Sequence, residues 1–149
     1  MAGKVPQAVQ HYQTALKCNP LSIEARVNLG VAFASLDQQD LAKEQYRETL
    51  LLDPDYVIAH YNLGLILVKE GLLGEAAEHF RICVVINPTN AGALKKLGGI
   101  YKEEGDIWTA VEMYQLAYEI DKTDCDTQLE LGELRLHFIQ SEYSPSLAS

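Results

Sequence analysis

The sequence predicts an all-α fold, a stack of antiparallel helix pairs, on three observations. Leu29, Leu63, Leu97 and Leu131 stand 34 residues apart, and a glycine follows each. The same step carries the columns Ala8, Ala42, Ala76, Ala110; Tyr12, Tyr46, Phe80, Tyr114; and Ala15, Thr49, Cys83, Ala117. Pro20, Pro54 and Pro88 punctuate the period, with Lys122 where a fourth proline would stand. Columns held in phase at this spacing mark a repeat architecture, in which each unit buries its apolar face only against its neighbours.

The elements follow in order. The first helix, over 5–18, puts Ala8, Tyr12 and Ala15 on one face at steps of four and three. It is a second-type helix whose own partner does not precede it. Pairs are then predicted over 22–35 and 39–52, 56–69 and 73–86, and 90–103 and 107–120. In each pair a Leu-Gly helix is followed by an alanine–aromatic helix. Small residues such as Gly30 and Ala42 let the two helices approach closely, and Tyr46 or Phe80 fills the space between pairs. Pro54 and Pro88 cannot continue a helix, so "DPDY" and "NPTN" read as the connections. A last Leu-Gly helix is predicted over 124–139, and "SEYSPSLAS" is too polar to pack and is expected to be disordered. The boundaries are a half-repeat at 3–20, full repeats at 23–56, 57–90 and 91–124, a half-repeat at 125–139, and a tail at 140–149, with 3–139 as one array.

The pattern of Leu-Gly, aromatic, alanine, aromatic, small residue and proline resembles the tetratricopeptide repeat over residues 3 to about 138. The resemblance implies a right-handed α-solenoid of eight helices with half-repeats at both ends. The chain departs from the family at the column where tryptophan is common, which holds Arg26, His60, Leu94 and Gln128. Its one tryptophan, Trp108, lies in a second-type helix, where packing on a neighbouring turn is expected. The aromatic column after Leu-Gly reads Phe33, Leu67, Tyr101 and then Arg135, which suggests that the last helix faces no ordinary following helix.

Composition narrows the function classes. The chain is 48% hydrophobic and 22% charged, which suits a folded protein. The longest apolar run, "LGLILV" at 63–68, falls far short of the roughly 20 residues of a membrane span, so no membrane insertion is expected. The net charge of −9 speaks against nucleic acid, which needs a basic stripe, and against anionic membranes. Cys18, Cys83 and Cys125 form no CxxC pair, which argues against a disulfide framework and a zinc site. With no secretory signal in "MAGKVPQAVQHYQ", a reducing compartment is expected, the cytoplasm or the nucleus.

No catalytic constellation emerges. The sequence has no P-loop, no G-x-G-x-x-G, no G-x-S-x-G and no H-E-x-x-H. His79 and Cys83 share a helical face, but Cys83 occupies the small buried column and two ligands do not make a metal site. The expectation is a non-catalytic chain with no cofactor and no metal.

Function is then sought on the concave surface, which the first helix of each pair lines in the family. Carried over residue by residue, the resemblance places Val27, Asn28 and Val31 there, then Tyr61, Asn62 and Leu65, then Lys95, Lys96 and Lys102. Asn28 and Asn62 each offer an amide that donates to and accepts from a peptide backbone. They look like part of the asparagine ladder in the O-linked N-acetylglucosamine transferase family, which Lys96 and Glu130 interrupt here. Val27, Val31, Tyr61 and Leu65 give an apolar trough, and the three lysines suit an acidic ligand residue. The clamp by which some family members grip a C-terminal carboxylate is missing, because Val27, Val31 and Gly92 stand at its lysine and asparagine positions. A protein or peptide partner is therefore expected, held extended or as a helix in the groove.

The two half-repeats point to a second role. Tyr12 and Leu16 at one end, and Leu131, Leu134 and Phe138 at the other, look too apolar for solvating caps. Head-to-tail self-association is expected through these residues, giving an architectural subunit. A third expectation is a substrate-targeting segment of a larger enzyme.

Overall fold

The computed structural model describes residues 3–143, and every regular element among them is an α-helix. In order these are α1 (Lys4–Cys18), α2 (Ile23–Ser35), α3 (Gln39–Leu52), α4 (Val57–Lys69), α5 (Leu73–Ile86), α6 (Ala91–Glu103), α7 (Ile107–Ile120) and α8 (Cys125–Tyr143). The last helix runs past its expected end at 139, so residues 140–143 are helical rather than tail. The rest of the expected disordered tail lies outside the described residues. The chain divides into two compact units, Met1–Ile86 and Asn87–Ser149.

In the first unit α2 packs on α3 and α4 on α5 as hairpins, α1 lies against α2, and α3 against α4. In the second, α6 pairs with α7, and α8 lies against α7. The repeated columns form the cores. Ala42, Ala76 and Ala110 are fully enclosed, as are Thr49 and Cys83, while Tyr46, Phe80 and Tyr114 are at most 6% exposed. Burial pushes the Cys83 thiol up to about 11, in keeping with its enclosed packing position.

The Leu-Gly glycines are held by contact. A Cβ on Gly30 would sit 2.6 Å from the Tyr46 ring, one on Gly64 2.9 Å from Phe80, and one on Gly98 2.8 Å from Tyr114. Each aromatic lies directly on its partner helix, which is why the glycine and the ring recur together.

Two backbone devices close the units. Between the helices of each hairpin one residue adopts a left-handed conformation: Asp37 at φ 59°, Gly71 at 76° and Gly105 at 82°. The following amide, on Gln38, Leu72 or Asp106, then donates back to Phe33, Leu67 or Tyr101 at 2.9 Å. Between hairpins, Asn19, Asp53, Asn87 and Asp121 each accept the amide two residues on, at 2.9–3.2 Å. This acidic-or-amide column explains why Lys122 in place of proline leaves the last connection intact. Asp121 ties it through the amide and hydroxyl of Thr123, which holds the carboxyl below its ordinary range.

Candidate functional site

In the first unit α2 and α4 are neighbours, and their partly open faces carry most of the expected groove residues. Asn28 and Asn62 occupy equivalent positions and are both half-buried. Among the described residues neither side-chain amide has a hydrogen-bond partner. Beside them Val31 is 43% exposed and Ile58 is 52% exposed, while Leu65 is half-buried. Tyr61 stands edge-on to Phe80, with ring centroids 5.5 Å apart and planes at 72°. Because Phe80 is itself seated on Gly64, the Tyr61 ring is held by the core beneath it.

Val27 does not join this surface. It is 5% exposed, a core residue on a helix that packs against α1, α3 and α4. The apolar trough is therefore narrower than the sequence suggests.

The lysines of the second unit are also differently placed. Lys95 Nζ donates to Asp124 Oδ2 at 2.6 Å, and Lys102 Nζ to Glu130 Oε2 at 2.7 Å and to Glu133 at 3.5 Å. The hydrogen bond it donates to Glu130 raises the Lys102 ammonium above its ordinary range, and Lys95 lowers the Asp124 carboxyl. Thr127 adds its hydroxyl to Asp124 at 2.5 Å. The acidic residues of α8 and the turn before it thus occupy two of the three lysines. Lys96 is exposed and, with Lys95, Tyr114, Asp126, Thr127 and Glu130, lines a pocket of about 240 Å³. An acidic ligand would have to displace these carboxylates, so the expected basic step is internally neutralised.

The residues expected at the ends divide. Tyr12 and Leu16 are half-buried on α1. Leu131 and Leu134 are not open: at 6% and 3% exposure they pack with Ala110 and Tyr114 in the core of the second unit, because that face of α8 docks on α7. Phe138 is half-buried under Trp108, 4.4 Å between centroids, while Trp108 is 74% exposed. Trp108 is thus a surface ring tilted at 48° against Phe138 of α8.

Two features escaped the sequence. The first is a histidine pair. His60 Nε2 lies 2.8 Å from the Pro54 carbonyl, and its Nδ1 lies 2.8 Å from Nδ1 of His79. A carbonyl only accepts, so His60 Nε2 carries hydrogen; in the neutral pair His60 Nδ1 accepts from His79 Nδ1–H. Burial first, then the charge of His60, lowers the His79 pKa. No local spacing links residues on different helices, so only the hairpin reveals the pair. The second is a pocket of about 460 Å³ on α3, α4 and α5, with Arg47, Leu51, Glu75 and His79 on its walls. Among the described residues no group of three or more histidine, cysteine, aspartate or glutamate side chains could hold a metal ion. No described helix is long and apolar enough to cross a membrane.

Comparison with known proteins agrees with this architecture. A family model described as TPR repeat matches residues 32–71. Models described as tetratricopeptide repeat match residues 2–42 and, for another, 57–90 and 91–124. A search of curated proteins gave no match. Among solved structures, a crystal structure of MamA is 23% identical with a TM-score of 0.83, covering 91% of this chain and 80% of that one. MamA of Desulfovibrio magneticus RS-1 is 21% identical with a TM-score of 0.83, covering 95% and 80%. Pseudomonas aeruginosa PilF is 22% identical with a TM-score of 0.84, covering 93% of this chain and 64% of that one. At these identities the likeness is one of fold, an α-solenoid of helix pairs. The matched repeats, the buried glycine–aromatic columns and the eight described helices together make this chain a member of the tetratricopeptide-repeat family.

Proposed function

We propose that this chain is a non-catalytic protein-interaction module that holds an extended peptide segment on the α2–α4 face. One observation carries the reading. Asn28 and Asn62 recur at the same repeat position, half-buried, and neither amide is engaged within the described chain. A buried-edge amide that spends no hydrogen bond internally is suited to pairing with a peptide backbone, donating from its NH₂ and accepting at its oxygen. Such pairing grips main chain and leaves sequence preference to the surroundings. Val31, Ile58 and Leu65 favour one or two apolar ligand side chains, and the fixed Tyr61 ring gives them a flat wall. The free thiols of Cys18 and Cys125 fit a reducing compartment such as the cytoplasm or nucleus.

The test uses peptides selected from a displayed library of random sequences, with affinity measured by calorimetry. The double variant Asn28→Ala, Asn62→Ala removes two amides, each contributing about 1 kcal/mol net, so binding should weaken on the order of thirtyfold. Substituting Lys96 should leave it within about twofold if the ligand is held by the amides. Selected peptides that bind the double variant as well as the wild type would overturn the proposal.

A further inference from the structure

The recurring glycine–aromatic contact is satisfied three times and left open twice, on complementary surfaces. Gly30, Gly64 and Gly98 are each covered by the ring sixteen residues on, at 2.6–2.9 Å from an ideal Cβ. At Gly132, the fourth glycine of the column, an added Cβ would meet nothing among the described residues within 4 Å. The surface around it is a pocket of about 390 Å³ formed by Gln115, Tyr118, Gln128, Leu131, Gly132 and Arg135. That volume admits an aromatic side chain. On α1 the opposite holds. The columns that are closed on α3, α5 and α7 lie open there: Ala8 and Tyr12 are half-buried and Ala15 is exposed. Tyr12 occupies the ring position of Tyr46, Phe80 and Tyr114 without a glycine beneath it.

We infer that α8 of one molecule receives α1 of a second copy of this chain, with Tyr12 seated on Gly132. Each half-hairpin then acquires the partner that the internal hairpins already have. The choice of a second copy rests on the identity of the columns, since α1 carries the same alanine, aromatic and small residues at the same steps. Charge does not oppose it: α1 has Lys4 and Lys17 and no acidic residue, and α8 carries Asp126 besides the Glu130 and Glu133 that Lys102 already holds. Arg135 lies on the pocket wall, donating to Gln115 at 3.0 Å, where its guanidinium can rest against an incoming ring. The contact is heterologous, so each copy offers one donor helix and one acceptor helix and growth is head-to-tail. It uses none of the α2–α4 surface and stands apart from peptide binding.

The experiment is light scattering coupled to size exclusion over micromolar to near-millimolar protein, on the full chain and two variants. Gly132→Leu fills the seat from within its own helix, into open space, and Tyr12→Ala removes the ring that would enter it. Wild-type mass should rise with concentration above the one-chain value of 16.6 kDa. Each variant alone should associate at least tenfold more weakly, with circular dichroism unchanged. Mixed together, the two variants should recover a species of two chains and no larger, because the first retains a working α1 and the second a working α8. A wild type that keeps the one-chain mass throughout overturns the inference. So does a Gly132→Leu variant that associates like the wild type, or a mixture that stays monomeric while the wild type grows.

Discussion

Replacing glycine by alanine at two positions of one column should change stability in opposite directions. At Gly98 an ideal Cβ lies 2.8 Å from both Cδ2 and Cε2 of Tyr114, whereas carbon contacts settle at about 3.5–4.0 Å. The ring cannot withdraw, since Tyr114 is 6% exposed and packed among Ala110, Leu131 and Leu134. Overpacking of this kind costs about 1–3 kcal/mol, and alanine recovers about 1 kcal/mol of helix preference over glycine. Gly98→Ala should therefore destabilise by up to about 2 kcal/mol. At Gly132 nothing among the described residues lies within 4 Å, so only the helix preference remains and Gly132→Ala should stabilise by just under about 1 kcal/mol. Both residues belong to the unit Asn87–Ser149, and Trp108 on α7 reports its unfolding by fluorescence. Urea titrations at low micromolar protein give the midpoints. Equal shifts of the same sign would refute the claim that ring contact is what reserves this column for glycine.

Three further outcomes follow from the same packing. Burial and the neighbouring His60 lower the His79 pKa from 6.5, so the unfolded chain binds more protons below that value. Stability of the unit Met1–Ile86 should therefore fall as pH drops below about 6.5, and His79→Gln should flatten the fall in acid–urea titrations; Glu75 and Glu78 oppose the shift, and Arg47 adds to it. Asp37 holds a left-handed backbone at φ 59°, where Gly71 and Gly105 stand in the other hairpins, so Asp37→Gly should raise the urea midpoint, by roughly 0.5 kcal/mol, while Gly71→Ala should lower it by about 1 kcal/mol. Phe138→Ala removes the ring 4.4 Å from Trp108; emission should shift to longer wavelength, and the second unit should lose about 1 kcal/mol as α8 loosens from α7. An unchanged spectrum would mean that the stack does not persist in solution.

The helices were legible because the period states the same unit several times. Leu-Gly, alanine and aromatic columns place each helix end within about a residue of where it lies, except the last, which continues to Tyr143. The seat of Phe80 on Gly64 lies within one hairpin, whereas the columns suggest a ring that fills the space between pairs. What a residue faces across the fold was not legible. Nothing local in "KKLGG" says that Lys95 and Lys102 will be met by Asp124 and Glu130, nearly one period later. Val27 alternates with exposed neighbours as a groove residue would, yet it is a core residue on a helix that packs against three others. Leu131 and Leu134 read as an unfinished end, though they are the inner face of α8; the open position beside them is a glycine, which hydrophobicity cannot flag. The His60–His79 bond joins residues of different columns on different helices, so the repeat pattern masks it.

The central claim, that the α2–α4 face grips peptide main chain through its two asparagines, is met most directly by nuclear magnetic resonance of the side-chain amides. A selected peptide is titrated into isotopically labelled protein, and the NH₂ signals of Asn28 and Asn62 are followed. Both should move in step with saturation, together with the Val31 and Leu65 methyls, and amide exchange should slow as the hydrogen bonds form. Asparagine signals that stay fixed, while the shifts gather on Arg47, Leu51 and His79 around the pocket of α3, α4 and α5, would contradict the account.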